Sequence, residues 1–139
     1  MTKQEILKRC NAITKDTLME TLSIEYVDIG EEHLVARMPV NSRVYQPDGV
    51  LHGGAMVALA ESVGSAAAVV FLDPSKYIIR GIEISANHVK SVKSGFVYAT
   101  AKPMHLGKTT QVWDIKITDD DKRLISAIKL TTLALPKAS

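Results

Sequence analysis

The stretch LHGGAMVALAESVGSAAAVVFL, Leu51 to Leu72, decides how the rest of the chain is read. It is almost uniformly small or apolar, and Asp73 and Pro74 close it, because Pro cannot continue a helix and turns its predecessor away from the helical region. The pattern predicts one helix from about Gly53 to Leu72, apolar on nearly every face, as in a helix surrounded by protein. About twenty helical residues also span about 30 Å, the thickness of a bilayer core. Against a membrane span stand Glu61, Ser62 and Ser65, the scarcity of Leu and Ile, and the strands that follow. Glu61 is the one carboxylate in the run. A carboxylate buried without a partner costs several kcal/mol or is driven toward its neutral form, so packing alone gives no reason for it.

Working outward, KQEILKRCNAITKD holds a short amphipathic helix with Ile6, Cys10, Ile13 and Thr17 on one side. Two strands follow, Ile24 to Ile29 and His33 to Val40, about a turn at Gly30. NSRVYQPDGVLHGG, from Asn41, is a loop rich in Pro, Gly, Asn and Asp that leads into the long helix. Beyond Pro74 four strands alternate with short turns. In the first, Ile82, Ile84 and Ala86 alternate with Glu83, Ser85 and Asn87. In the third, Gln111, Trp113, Ile115 and Ile117 face away from Val112, Asp114, Lys116 and Thr118. TDDDKR is a tight polar hairpin between the last two. The order helix, two strands, long helix, four strands predicts an α+β fold, a curved antiparallel sheet wrapped around one long central helix, with residues 1–139 forming a single domain.

The 139 residues suffice for one core, and a formal net charge of +2 gives no reason to expect nucleic acid as a partner. The lone cysteine, Cys10, excludes an internal disulfide and fits a reducing compartment. MTKQEILKRCNAITKD lacks the apolar core of a signal peptide, so a cytoplasmic protein is expected, with no membrane partner. The histidines His33, His88 and His105 stand at no metal-ligand spacing, and no P-loop, G-x-G-x-x-G or G-x-S-x-G elbow occurs. No metal site is expected.

Chemistry gathers around Glu61. It serves as general base or nucleophile in a partly dry cleft, or else it pairs with a base such as Arg80. The glycines of HGG let a ligand approach the unpaired N–H groups of a helix N-terminus, where an oxyanion is stabilised; alternatively they only form a tight turn. Gly53 and Glu61 are eight residues apart, about 12 Å along a helix. That is too far for both to reach one carbon, unless the site lies between two subunits. Ser65, one turn beyond Glu61, would bond the carboxylate or a water, or merely fill space. Gln46 would orient a water or carbonyl, or face solvent. His52 would donate to substrate, or only cap the helix.

QPDGVLHGGAMVALAESVGSAAA, GIEISANHVKSVKSG and HLGKTTQVWDIKI, taken in this order, closely resemble the hotdog-fold acyl-CoA thioesterases of the phenylacetate-pathway, 4-hydroxybenzoyl-CoA and 1,4-dihydroxy-2-naphthoyl-CoA branch. The likeness runs from about Leu22 to Leu135. It implies the same sheet around a helix, and dimers paired into tetramers with active sites at the dimer interface. It implies that Glu61 is the catalytic carboxylate and that the Gly53 N–H polarises the thioester carbonyl. Gln46 and His52 would line the reacting group, and Ser65 would place Glu61 or the water. Asn87, His88, Val89, Lys90 and Ser91, with His105, Leu106, Gly107, Lys108, Thr109 and Thr110, correspond to segments that bind CoA, Lys90 and Lys108 being candidate phosphate partners. The activity implied is hydrolysis of an aromatic or medium-sized acyl-CoA to free acid and CoA, with no cofactor, since CoA is part of the substrate. Two other readings stay open: an acyl-CoA hydratase or dehydratase of the same fold using His52 and Glu61, and a non-catalytic acyl-CoA-binding module.

Overall fold

Gly53–Phe71 forms the one long helix, α3, in a computed structural model that describes residues 1–138. Before it come helix α1 (Lys3–Ala12), the single-turn helix α2 (Leu18–Thr21), strands β1 (Glu25–Ile29) and β2 (Leu34–Pro39), and one 3-10 turn at Ser42–Val44. After it come β3 (Tyr77–His88), β4 (Phe96–Leu106), β5 (Thr110–Thr118) and β6 (Leu124–Pro136). The six strands make one sheet in the order β1-β2-β4-β5-β6-β3, with every neighbouring pair antiparallel. This is the hotdog arrangement, one sheet with a long helix packed against it.

Alternation along the strands builds the core. Leu34, Ala36 and Met38 of β2, Val97, Ala99 and Ala101 of β4, and Trp113, Ile115 and Ile117 of β5 are wholly buried, while their sequence neighbours are not. Met56, Leu59, Ala60, Val63, Gly64, Ala67 and Ala68 of α3 close that core from the other side. Phe71, at the end of α3, stacks on the Trp113 indole with centroids 6.4 Å apart.

Three features depart from the expected pattern. Helix α3 is buried on one face only. Val57, Ala58, Glu61, Ser65 and Ala66 of the opposite face are only partly covered, and Val69 is exposed. Small apolar residues therefore surround this helix without being enclosed by the chain itself. Second, α1 stops at Ala12, so Ile13 is its C-cap and lies 72% exposed instead of joining Cys10 in the core. The buried Cys10 is a free thiol whose pKa burial raises, consistent with packing. Third, β3 carries a bulge between Gly81 and Glu83, which breaks the alternation. Ile84 and Ala86 stay partly covered, whereas Ile82 is 55% exposed.

The two edges of the sheet differ. On β1, the Asn11 side chain of α1 donates to the Tyr26 carbonyl at 3.0 Å and accepts from the Tyr26 N–H at 2.8 Å, closing that edge. The outer edge of β3 has no such cover among the described residues.

Candidate active site

The N-terminus of α3 is set by His52, the N-cap. Its Nδ1 accepts from the Gly54 N–H at 2.7 Å, and its carbonyl accepts from Ala55 and Met56 at 3.1 and 3.3 Å. Among the described residues this leaves the Gly53 N–H without a partner at the positive end of the helix. His52 is thus placed in its capping role, with its ring exposed.

The His88 ring lies against Gly53: a Cβ there would come within 2.9 Å of His88 Cδ2 and Nε2. The Ser126 hydroxyl donates to the Asn87 carbonyl at 3.2 Å and sits 2.8 Å from His88 Nδ1. Which of the two donates in the Ser126–His88 pair follows the tautomer of the ring, and either way the bond fixes the ring plane beside Gly53. Gln46 stands at the start of a tight turn in which Gly49 has φ +81°, and its amide donates to Asp48 at 2.9 Å. A cleft of about 310 Å³ joins Gln46, Gly53, Met56, His88, Val89, Lys90 and Ser91.

Glu61 lies elsewhere. It is half-buried in a separate cleft of about 660 Å³ on the uncovered face of α3, with Gly54, Ser65, Tyr26, Val69 and Ile79 among its walls. The Glu61 carboxylate rests on the β3 bulge, where a Cβ on Gly81 would be 2.7 Å from Oε2. A side chain at this position would displace the carboxylate from where it rests. No hydrogen bond or ion pair from the described residues reaches this carboxylate; the Arg80 guanidinium turns back to the Ile79 carbonyl at 3.0 Å. Nor does Ser65 bond it, although it shares the cleft. Ser62 is tied to its own helix through the Ala58 carbonyl at 2.7 Å, and Tyr26 donates to the Ser62 carbonyl at 3.2 Å. Burial pushes the Tyr26 phenol well above its ordinary pKa, so it stays a protonated donor.

The candidates from the sequence therefore form two groups. One is Gln46 and Gly53 with the segment His88 to Ser91, Asn87 standing exposed just before it; the other is Glu61 with Ser65. The turn His105 to Thr110 belongs to neither. His88 pairs with Ser126 and Thr110 with Leu133, so this turn lies about 23 Å along β6 from His88 at about 3.3 Å per residue. A single chain does not bring together the two segments that the resemblance assigns to CoA. Gly81 and Ser126 were not singled out by the sequence. Gly81 left a trace, since an isolated glycine inside a strand marks a bulge or close approach; Ser126 left none.

Residues 48–126 match the family model of the thioesterase superfamily. The 1,4-dihydroxy-2-naphthoyl-CoA hydrolase of Escherichia coli is 44% identical, over 93% of this chain and 94% of its own length. The proofreading thioesterase EntH of Cronobacter turicensis is 41% identical, over 93% of each. Among solved structures, a mutant thioesterase from Pseudomonas aeruginosa matches with a TM-score of 0.92 at 43% identity, covering 94% of each chain. A thioesterase from Haemophilus influenzae matches at 0.90 and 40%, covering 94% of this chain and 90% of that one.

Proposed function

The chain belongs to the thioesterase superfamily, and on that premise we propose that it hydrolyses aromatic or medium-sized acyl-CoA thioesters at a site shared between two copies. The observation that carries this is Glu61: a carboxylate without a partner in an apolar cleft, on the uncovered face of the helix and beside the open β3 edge. The name of the 1,4-dihydroxy-2-naphthoyl-CoA hydrolase relative favours an aryl acyl group. The apolar walls around Glu61 suit such a group.

In this reading two β3 edges pair, and the uncovered face of α3 meets its counterpart. The Glu61 cleft of one protomer then faces the Gln46–Gly53 cleft of the other. The free Gly53 N–H donates to the thioester oxygen as it gains charge. Glu61 either takes a proton from an attacking water or attacks the carbonyl carbon itself, after which water releases the acid. The thiolate of CoA leaves in both cases. Gln46 and Ser65 orient the carbonyl and the water from opposite sides, and His52 holds the helix start. Lys90 of one protomer and the His105 to Thr110 turn of the other reach the CoA. Pairs of dimers form the tetramer, and the free thiol Cys10 fits the reducing cytoplasm.

Thiol release from a panel of aryl and fatty acyl-CoAs tests the reading, with wild type, Glu61→Ala and Glu61→Gln side by side. Wild type is expected to turn over aryl substrates fastest, and both variants to lose at least about a hundredfold in kcat with the oligomer intact. Retained turnover in either variant contradicts the role of Glu61. An inactive wild type that instead hydrates enoyl-CoA replaces hydrolysis by hydration.

A further inference from the structure

Apart from the two clefts, a chain of polar side chains runs through the core. The Trp113 indole N–H donates to Thr132 Oγ1 at 3.0 Å, and the Thr132 hydroxyl donates to Gln111 Oε1 at 2.9 Å. The Gln111 amide donates to the backbone carbonyl of Gly107 at 2.9 Å. All three side chains are 0% exposed. The inner end is anchored by the stack of Trp113 on Phe71. The outer end is the β4–β5 turn, where the Gly107 N–H donates to the Thr110 carbonyl at 3.0 Å and the Ala134 N–H to the Thr109 carbonyl at 2.7 Å.

Polar atoms in a core are costly unless every one is satisfied, and apolar residues of equal volume do not carry that cost. The turn is already closed by its own backbone bonds, so forming the hairpin does not require the chain. What the chain adds is position: it ties the Gly107 carbonyl through three side chains to the end of α3. The turn in turn displays exposed Lys108 and His105 beside Leu106, itself 50% exposed. A mobile cation next to an apolar platform suits a phosphate followed by a flat base.

We propose that the Gln111–Thr132–Trp113 chain is a positioning device that holds the Gly107 to Thr110 turn for the nucleotide end of an acyl-CoA, acting on binding and not on the bond that breaks. It rests on the reading that this turn meets CoA. None of the three side chains touches substrate; each acts through the turn.

The test compares one acyl group on CoA and on N-acetylcysteamine, which lacks the nucleotide, using wild type, Gln111→Met, Thr132→Val and Thr132→Ser. Wild type is expected to show a lower KM for the CoA ester. Gln111→Met and Thr132→Val are expected to raise that KM about tenfold while leaving kcat and the KM of the short thioester near wild type. Thr132→Ser, which keeps the hydroxyl, is expected to behave as wild type. Folded Gln111→Met or Thr132→Val with an unchanged KM ratio overturns the proposal, and so does failure of both to fold, which makes the chain a core support only. A wild type that does not distinguish the two esters overturns the CoA reading of the turn itself, a result visible without any variant.

Discussion

At the scale of single residues, the two ends of the proposed chemistry are set by what is left unpaired. His52 uses its ring and its carbonyl to satisfy Gly54, Ala55 and Met56, and the donor that remains is Gly53 N–H. Gly53→Pro removes that donor at the first helical position, where Pro is tolerated. His52 already has the extended backbone, φ −68° and ψ 132°, that a following Pro requires. Any Cβ at this position pushes on the His88 ring, so Gly53→Ala is the matched control, with the Cβ added and the N–H retained. The proline variant is expected to lose about 10²- to 10³-fold in kcat relative to the alanine variant, as for loss of one oxyanion donor. Equal kcat in the two excludes the Gly53 N–H from catalysis. At the other end, the Glu61 carboxylate lies over Gly81, an approach that an isolated glycine in a strand signals without naming its partner.

Among the elements, the β5–β6 hairpin shows how a turn carries its own pH dependence. The Asp119 carboxylate accepts from the Asp121 and Arg123 backbone N–H groups, each at 2.9 Å, and from Arg123 Nε at 2.8 Å. These bonds, the one from the Arg123 backbone foremost, hold its pKa below the ordinary 3.8. A carboxylate with a lowered folded-state pKa adds stability above its unfolded pKa and loses it as pH falls through the folded value. Thermal unfolding followed from pH 7 downward is therefore expected to show wild type and Asp119→Asn converging below about pH 4. A constant gap across that range contradicts the assignment. The expected elements were legible where the pattern is long: the apolar run closed by Asp73–Pro74 gave α3 to within a residue, and alternation gave the four closing strands. Helix α2 has four residues, too few to show a period, and the bulge between Gly81 and Glu83 breaks the alternation on which the reading of β3 rests. The end of α1 at Ala12 was missed because Ile13 continues the apolar spacing and yet faces outward.

For the whole molecule, apolar composition cannot distinguish a helix buried in its own chain from one buried against a second copy. That is why α3 reads as surrounded on every side, while the chain covers one face and leaves Glu61 on the other. The eight-residue spacing already set Gly53 and Glu61 too far apart to share one carbon within a chain, and the structure places them in different clefts. An edge strand without cover, next to an apolar cleft, is the kind of surface that closed two-fold pairing buries. The proposed site forms only when that pairing does, and mixed subunits test it most directly. Gly53→Pro and Glu61→Ala protomers, each inactive alone, are unfolded together and refolded as a one-to-one mixture. If Gly53 and Glu61 act across the interface, half the dimers are mixed and each mixed dimer holds one intact site, so about a quarter of wild-type activity is expected to return. If the mixture stays as inactive as its parents while subunit exchange is confirmed by mass, the two residues do not meet across an interface, and the shared site is contradicted.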